Sequence, residues 1–583
     1  MENTEIARIF HEIAELLEMK GEDHFRIRSY RNAAMVIEGL TESLKTLYEK
    51  GEAGLDGIPG VGKGIRAKIA EMLTTGRCAV HDGLLKELPA GLFDVLKVGG
   101  IGPKKVMLLY KELGITSVDA LRRAAESHAI HALPGMGEKT EENIIRAVES
   151  LKKVSARFNL AVGLSYAEGI KAHLQKTPGV ARVEAAGSLR RWKDSIGDLD
   201  MLCIAHKPED AIAAFAAYPG VKDVLSKGGT KSTVVLKTGL QVDLRVLKED
   251  AFGAAMQYFT GSKAHNVALR DMAKRKGLKI NEYGVFKEPG DRWDAGKTEE
   301  DVYRSVGLPW IPPELRENRG EIEAAAEGRL PAPLELCDIR GDLHVHTRES
   351  DGNATLAELS EAAQARGYEY IAITDHSRAV GVAHGLDEKR AMAQIEAIDA
   401  FNERLKASGR HFRLLKGAEV DIRADGTLDH ADEVLSRLDC VVGAVHSGFN
   451  MTREAMTGRI IKGMESGWIN VLAHPTGRLI GVREPYKVDM EAVMGAAKRH
   501  GTALELNSYP ERLDLNDVHC RMARERGILV AVSTDSHSTA HLGNITFGIH
   551  NARRGWLEKN DVLNTRGLKE LLRILKKTRQ AGR

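Results

Sequence analysis

GSLRRWKDSIGDLDMLC, residues 187–203, decides how the middle of this chain folds. Near its end Asp198 and Asp200 flank Leu199. On an extended strand successive side chains point to opposite faces, so both carboxylates share one face while Leu199 packs behind them. A third acid, Asp243 in QVDLRVL, lies on a later predicted strand. Three converging carboxylates suit two Mg²⁺ (or Mn²⁺) ions, one activating an attacking 3′-hydroxyl and one holding a triphosphate and its leaving group. Upstream, the turn at Gly187 and Ser188 leads into two arginines. Ser188 and Arg191 are candidates for the β- and γ-phosphates, with Gly187 allowing close approach. Neighbouring runs such as VEAAGS and STVVLK read as further short strands, giving an α+β region over about 154–250.

Further along stand KGGTKS and then YFTGSKAHNVALR, Tyr258 to Arg270. With the GS-x-x-R and D-x-D motifs before them, these closely resemble the nucleotidyltransferases of the family X DNA polymerases. The resemblance implies that Tyr258, Phe259 and the turn at Gly261 cradle the sugar of an incoming dNTP. It implies further that Asn266 meets the minor-groove edge of the new base pair, Arg270 the template strand, and Lys231 the DNA. Gln241 departs from the pattern, since better-known members carry an arginine two residues before the third aspartate. That change is expected to retune the carboxylate rather than abolish metal binding.

Working back toward the N-terminus, three stretches share one plan: Gly57–Ile69, Gly99–Leu109 and Leu133–Ile145 each set a G-x-G turn directly before a helix. Glycine permits the tight turn, and a helix start offers unpaired N–H groups to a phosphate. The plan resembles the helix–hairpin–helix motif, which grips DNA backbone without reading sequence. Gly60, Gly62, Gly100, Gly102 and Lys104 are the candidate contacts. The first hairpin also resembles the lyase domain of repair-type family X enzymes, with Lys68 matching the amine that attacks an abasic sugar and Tyr30 a second pocket residue. Gly64 and Phe25 stand where active lyases are basic. Two readings of Lys68 therefore stay open: a Schiff-base lysine activated by Lys63, Arg66 or burial, or a plain phosphate-binding helix lysine.

Thirteen of the 21 histidines follow Cys337, so a second metal chemistry is to be sought there. GDLHVHTRESDG places His344 and His346 on a strand with Asp351 beyond, followed by TDH (His376), GAEVD (Glu419), AVHS (His446), LAHPTGR (His474) and STDSH (Asp535, His537). Each follows a short apolar run, and these runs alternate with helix-like segments. That alternation predicts a parallel β/α barrel with the nine residues gathered at one mouth, where two or three ions bind. Imidazole and carboxylate suit Mn²⁺, Zn²⁺ or Fe²⁺ better than Ca²⁺. The set resembles the PHP (polymerase and histidinol phosphatase) family, which implies metal-assisted hydrolysis of a phosphoester. His384, Arg378 and Arg478 lie near the ligands and are candidates for substrate phosphate.

A chain of 583 residues exceeds one ordinary domain. The expected architecture is multidomain: an all-α hairpin region in two parts (1–90 lyase-like and 91–153 fingers-like), an α+β palm (154–250), a thumb-like region (251–317), a charged, alanine-rich linker (318–337) and a distorted β/α barrel of PHP type (338–583). Net charge is only +2, so any DNA-binding surface must be built locally. Five scattered cysteines form no CxxC pair, which argues against a zinc ribbon or disulfide framework. The acidic start and the lack of a long apolar run lead to the expectation of a cytoplasmic protein, and a monomer is expected. The whole order resembles the bacterial family X polymerases and implies gap filling on gapped or nicked DNA, coupled to 3′→5′ exonuclease or other end processing, abasic-site cleavage included. Two alternatives remain: a PHP phosphoesterase whose first half only binds DNA, and a non-catalytic repair scaffold.

Overall fold

The computed structural model describes residues 1, 3–38, 40, 44–56, 58, 61–89, 91–96, 98, 101–137, 140–141, 144–145, 148 and 157–581. The chain divides into two compact units, residues 1–157 with 219–225 and 233–242, and residues 158–218 with 226–232 and 243–583.

The first unit is built on helices. In α1 (Asn3–Lys20) the residues Ile6, Phe10, Ile13, Leu16 and Leu17 recur at helical spacing and are all buried. They share a core with Ile27, Tyr30, Ala34 and Ile37 of α2 (His24–Glu38), where the rings of Phe10 and Tyr30 lie 5.7 Å apart. Two hairpin helices, α3 (Lys63–Thr75) and α4 (Pro103–Leu113), start alike. Gly62 and Gly102 sit before them in extended conformation, and no side chain caps either start. The Gly62 carbonyl accepts from the N–H groups of Ile65 and Arg66, and that of Gly102 from Lys105 and Val106. Gly60 and Gly100 lie outside the described residues.

The palm strands β1 (Val180–Ala185), β2 (Asp198–Ala205) and β3 (Gln241–Leu247) are consecutive neighbours in a five-stranded sheet, and all of their residues but 241–242 belong to the second unit. β1 and β2 run antiparallel, with Ala185 opposite Met201. After them α5 (Phe252–Thr260) and α6 (Lys263–Arg275) pack with a three-stranded sheet around Ala254, Leu269, Val285 and Tyr303. The stretch 318–337, expected as a linker, holds a helix at Glu321–Ala326 whose Glu321, Ile322, Ala324 and Ala325 are buried. Charge there does not mean solvent exposure, because Glu321 pairs inward with the buried His265 (Nδ1 to Oε1, 2.6 Å).

Seven strands follow: β4 (Gly341–Val345), β5 (Tyr370–Ile373), β6 (Arg413–Asp421), β7 (Cys440–Ala444), β8 (Val471–Leu472), β9 (Ala503–Asn507) and β10 (Val530–Ser533). They pair in sequential order, all parallel, as expected for β/α units. A parallel bridge between Val345 and Ser536 brings the ends of the sheet together, with His346 N–H donating to the Ser536 carbonyl at 2.8 Å. Alternate residues divide between two cores. Leu343, Ala372, Leu415 and Val442 pack with Leu571 and Leu575 of the last helix, α7 (Leu568–Ala581), while Ile371, Ile373 and Leu414 pack with Leu359, Ile398 and Met456 from the surrounding helices. Both faces being covered, the strands read as nearly continuous apolar runs. Among the described residues, no helix is long and apolar enough to cross a membrane.

Candidate active sites

The palm site rests on period-two alternation in β2. Leu199 is fully buried, whereas Asp198 is exposed and Asp200 partly so. The Asp200 carbonyl accepts from Ala186 N–H at 2.8 Å, which seats the turn at Gly187 against it. Gly187 has φ +60°, and a Cβ there would lie 2.4 Å from Asp200 Oδ2, so only glycine fits. Burial first, then the charges of Asp198 and Asp243, push the Asp200 carboxyl up to about 6, with Arg245 and Arg191 pulling the other way. Asp198 and Asp243 therefore both lie close enough to Asp200 to act on its charge. Lys231 Nζ lies 3.8 Å from Asp243 Oδ1.

Arginine supply to this site differs from what the sequence motif alone suggested. Gln241 leaves one position vacant, but Arg245, two residues beyond Asp243 and hence on the same face of β3, acts on Asp200 and lies 4.5 Å from the Phe259 ring centre. Arg191 donates from Nε to Glu317 (3.0 Å) and from Nη1 to the Thr260 carbonyl. Its neighbour Arg190 pairs through both Nη atoms with Glu299, which also binds Arg316. Burial opposes the charge on Glu299, yet Arg316 and then Arg190 hold its pKa down at about 2. Ser188 sits in the short helix Gly187–Arg190, its carbonyl accepting from Lys193 N–H. Tyr258 and Phe259 meet edge to face at 5.1 Å, and Gly261 takes φ +68°. Asn266 is buried, accepting from Gln257 Nε2 (2.8 Å) and donating to the Tyr258 carbonyl (2.6 Å). The exposed Arg270 donates to the Asn266 carbonyl. Arg190, Arg245, Gln257 and Glu317 were missed in sequence; Arg190 and Arg245 were visible as charges beside motif residues.

In the first unit, Lys68 lies with Tyr30, Arg26, Asp56, Gly62 and Ile65 on a cleft of about 780 Å³. Its Nζ donates to the Gly64 carbonyl at 3.0 Å and stands 5.8 Å from the Tyr30 ring centre. Arg66 is paired with Asp56, and Phe25 is 80% exposed. Lys104 is exposed on the first turn of α4.

The barrel gathers all nine expected residues. Glu419, on β6, lies at the centre: His474 Nε2 is 2.9 Å and His446 Nε2 3.2 Å from its Oε1, and His376 Nδ1 2.8 Å and His344 Nε2 3.4 Å from its Oε2. Asp535 Oδ1 lies 3.2 Å from His346 Nε2, and Asp351 Oδ2 lies 3.3 Å from His537 Nε2 and 3.5 Å from His376 Nε2. These contacts define three overlapping ligand groups: His346, Asp351, His376 and His537; His344, His346 and Asp535; and His376, Glu419 and His446. Imidazole and carboxylate oxygen are the donors expected for first-row divalent ions. Moreover His344 Nε2, both ring nitrogens of His346, His376 Nδ1 and Glu419 Oε2 are buried without a well-directed hydrogen bond, although several face an opposite partner 2.8–3.4 Å away. Buried polar atoms rarely remain so, and bound cations would supply the partners that these atoms lack.

Outer carboxylates, missed in sequence, orient these ligands. Glu505 accepts from His344 Nδ1 (2.7 Å) and from His474 N–H (2.8 Å), and Asp421 lies 3.2 Å from His446 Nδ1. Burial disfavours a charged His344, but Glu505, Glu419 and Asp535 hold its pKa well above the ordinary histidine range. Of the three phosphate candidates, His384 and Arg378 are exposed. Arg478 is committed elsewhere, donating to Asp194 (2.8 Å) and to the carbonyls of Arg512 and Leu513, because its side chain spans the gap between barrel and palm.

Two clusters of metal-ligand-type residues on one chain, one of carboxylates and one largely of imidazoles, suit phosphoester chemistry at two places. Comparison with known proteins matches four segments of the chain. Residues 1–78 match a helix-hairpin-helix domain, 93–150 a SAM-like helix-hairpin-helix tandem, 255–317 the DNA polymerase beta thumb and 342–508 the PHP domain. The DNA polymerase/3′-5′ exonuclease PolX of Bacillus subtilis (strain 168) is 37% identical over 579 residues, 99% of this chain and the whole of that protein. A DNA polymerase lambda of Arabidopsis thaliana is 24% identical over 54% of this chain and 62% of its own. A protein described as a probable phosphatase, from Thermoanaerobacter sp. (strain X514), is 27% identical over 38% of this chain and 89% of its own. The chain belongs to the family X DNA polymerases that carry a C-terminal PHP domain.

Proposed function

We propose that this chain fills short gaps in DNA from dNTPs and removes or cleans 3′ ends, with nucleotide addition in the palm and hydrolysis in the barrel. The observation that carries the reading is the pair of separate ligand sets, the Asp198–Asp200–Asp243 triad and the nine-residue barrel cluster. Asp198, Asp200 and Asp243 would hold Mg²⁺ or Mn²⁺, and the nine barrel residues two or three Mn²⁺, Zn²⁺ or Fe²⁺ ions. When bound, such ions lower the pKa of an attacking hydroxyl or water and neutralise charge on the phosphate.

The chain's own groups do the rest. Ser188 and Arg191 bind the β- and γ-phosphates, and Gly187 lets the triphosphate approach the backbone. Tyr258, Phe259 and the Gly261 turn enclose the sugar. Asn266 reaches the base-pair edge by exchanging its bonds to Gln257 and Tyr258 for bonds to DNA. Lys231 and Arg270 hold the strands, while the starts of α3 and α4, with Gly62, Gly102 and Lys104, grip backbone phosphates, as do Gly60 and Gly100. In the barrel, Glu505 and Asp421 hold His344, His474 and His446 in place, and the exposed Arg378 and His384 meet the DNA backbone. The Lys68 cleft is suited to a 5′-deoxyribose phosphate, with Lys68 as the nucleophilic amine. The enzyme acts as a monomer.

The test uses full-length protein and 5′-labelled primer on a one-nucleotide gap with a downstream 5′-phosphate. The label lengthens by one residue with the matching dNTP and shortens stepwise with Mn²⁺ alone. Shortening without any extension would leave only the phosphoesterase reading.

A further inference from the structure

The four residues Arg191–Asp194 join the helix that starts at Gly187 to the segment leading into the strand that bears Asp198 and Asp200. Although they belong to the palm, three of them are fastened to the barrel domain. Arg554 Nη1 donates to the Arg191 carbonyl at 2.7 Å. The Trp192 indole stacks on His550 at 3.6 Å and 4° between planes, and meets Phe547 edge-on at 6.1 Å. Asp194 Oδ2 accepts from Arg478, which lies four residues beyond His474.

Arg554 does more than hold backbone. The same Nη1 reaches Glu317 Oε1 at 3.1 Å, the oxygen that accepts from Arg191 Nε at 3.0 Å. Its Nη2 is fixed by Asp517 at 2.6 Å, and Arg319 joins the same carboxylate at 3.0 Å. The chain Asp517–Arg554–Glu317–Arg191 is mostly buried, with Arg554 itself 3% exposed. A planar guanidinium bridging two carboxylates and a carbonyl in low dielectric allows little play, so the barrel domain helps set the orientation of Arg191, whose Nη1 is also held by the Thr260 carbonyl.

We propose that the PHP domain is a working part of the polymerase's nucleotide site: Arg554, through Glu317, and Arg478, through Asp194, are positioning residues for Arg191. This rests on the reading that Arg191 meets the triphosphate. The barrel therefore contributes to dNTP affinity independently of its own hydrolysis, and the join between the domains cannot flex freely during nucleotide addition.

The test is a double-mutant cycle in full-length protein, reading KM for dNTP, kcat and 3′-end hydrolysis. Arg554→Lys keeps the charge and loses the fork, and raises KM about five- to twentyfold, with 3′ hydrolysis retained. Arg191→Lys also raises KM, and the double variant is no worse than the poorer single one, which mere loosening of the fold would not produce. The milder Asp194→Asn removes only the Arg478 bond, and raises KM about two- to fivefold with wild-type hydrolysis, which covers the case in which Arg554→Lys fails to fold. Effects of Arg191→Lys and Arg554→Lys that multiply, or an unchanged KM in Arg554→Lys or Asp194→Asn while Arg191→Lys raises it, overturn the proposal. An unchanged KM in Arg191→Lys overturns the triphosphate reading itself, and the relay with it.

Discussion

Replacing Asp200 by Asn should destroy nucleotide addition and yet make the metal-free protein more stable. The charged carboxylate sits at a partly buried position facing Asp198 and Asp243, which raises its pKa from an ordinary 3.8 to about 6. At about 1.4 kcal/mol per pH unit, that rise corresponds to roughly 3 kcal/mol of destabilisation of the ionised form. The sign follows from linkage. Below about pH 4 the aspartate is protonated folded or unfolded, so the two proteins match; between about pH 4 and 6 the penalty grows, and above 6 it is complete. Asp200→Asn should therefore gain about 2–3 kcal/mol at pH 7.5 in chelator. For a unit of roughly 400 residues, that is a shift of about 3 °C in the melting transition. Thermal unfolding in EDTA against pH measures it, and saturating Mg²⁺ should erase or reverse the difference, because the ion stabilises only the wild type. A variant no more stable than wild type, or one whose gain ignores both pH and Mg²⁺, refutes this account of the triad.

Gly187→Ala should lower nucleotide addition at least about tenfold with hydrolysis unchanged, since the new Cβ displaces Asp200 Oδ2 at a backbone of φ +60°; primer extension and 3′ degradation measured side by side decide it. Glu505→Gln should weaken metal retention in the barrel about 10–100-fold, since it loosens both His344 and His474; metal content after dialysis checks it, with palm activity as the internal control. Borohydride should trap a covalent complex with a 5′-deoxyribose phosphate that Lys68→Ala abolishes; a wild-type protein that traps nothing leaves Lys68 as a phosphate contact.

How much of this was legible in the sequence depended on distance along the chain. Asp198 and Asp200, or His344 and His346, lie two residues apart on predicted strands, where local geometry alone puts them on one face. The barrel followed from repetition, because a ligand-type residue after each of several short apolar runs is what strand ends converging on one mouth require. Groups that act through tertiary contacts left no such trace. Glu505 looked like any strand residue until its 2.7 Å contact with His344 appeared, and Arg478 looked like a phosphate ligand because Asp194 is 284 residues away. The stretch around Glu321 read as a solvated linker, since its partner His265 lies 56 residues earlier. Gln241 read as a loss, and only the pleat of β3 shows Arg245 acting on the neighbouring Asp200 carboxylate.

The account's central claim is that one chain holds two independent metal sites, and reciprocal variants on one substrate test it most directly. Asp198→Asn and the pair His344→Ala with His346→Ala are incubated with labelled gapped DNA, with and without dNTPs and Mn²⁺. The palm variant should shorten the 3′ end at the wild-type rate and add nothing. The barrel variant should fill the gap and leave the end intact. Loss of both activities in either protein, or 3′ degradation persisting without His344 and His346, would contradict the division of labour.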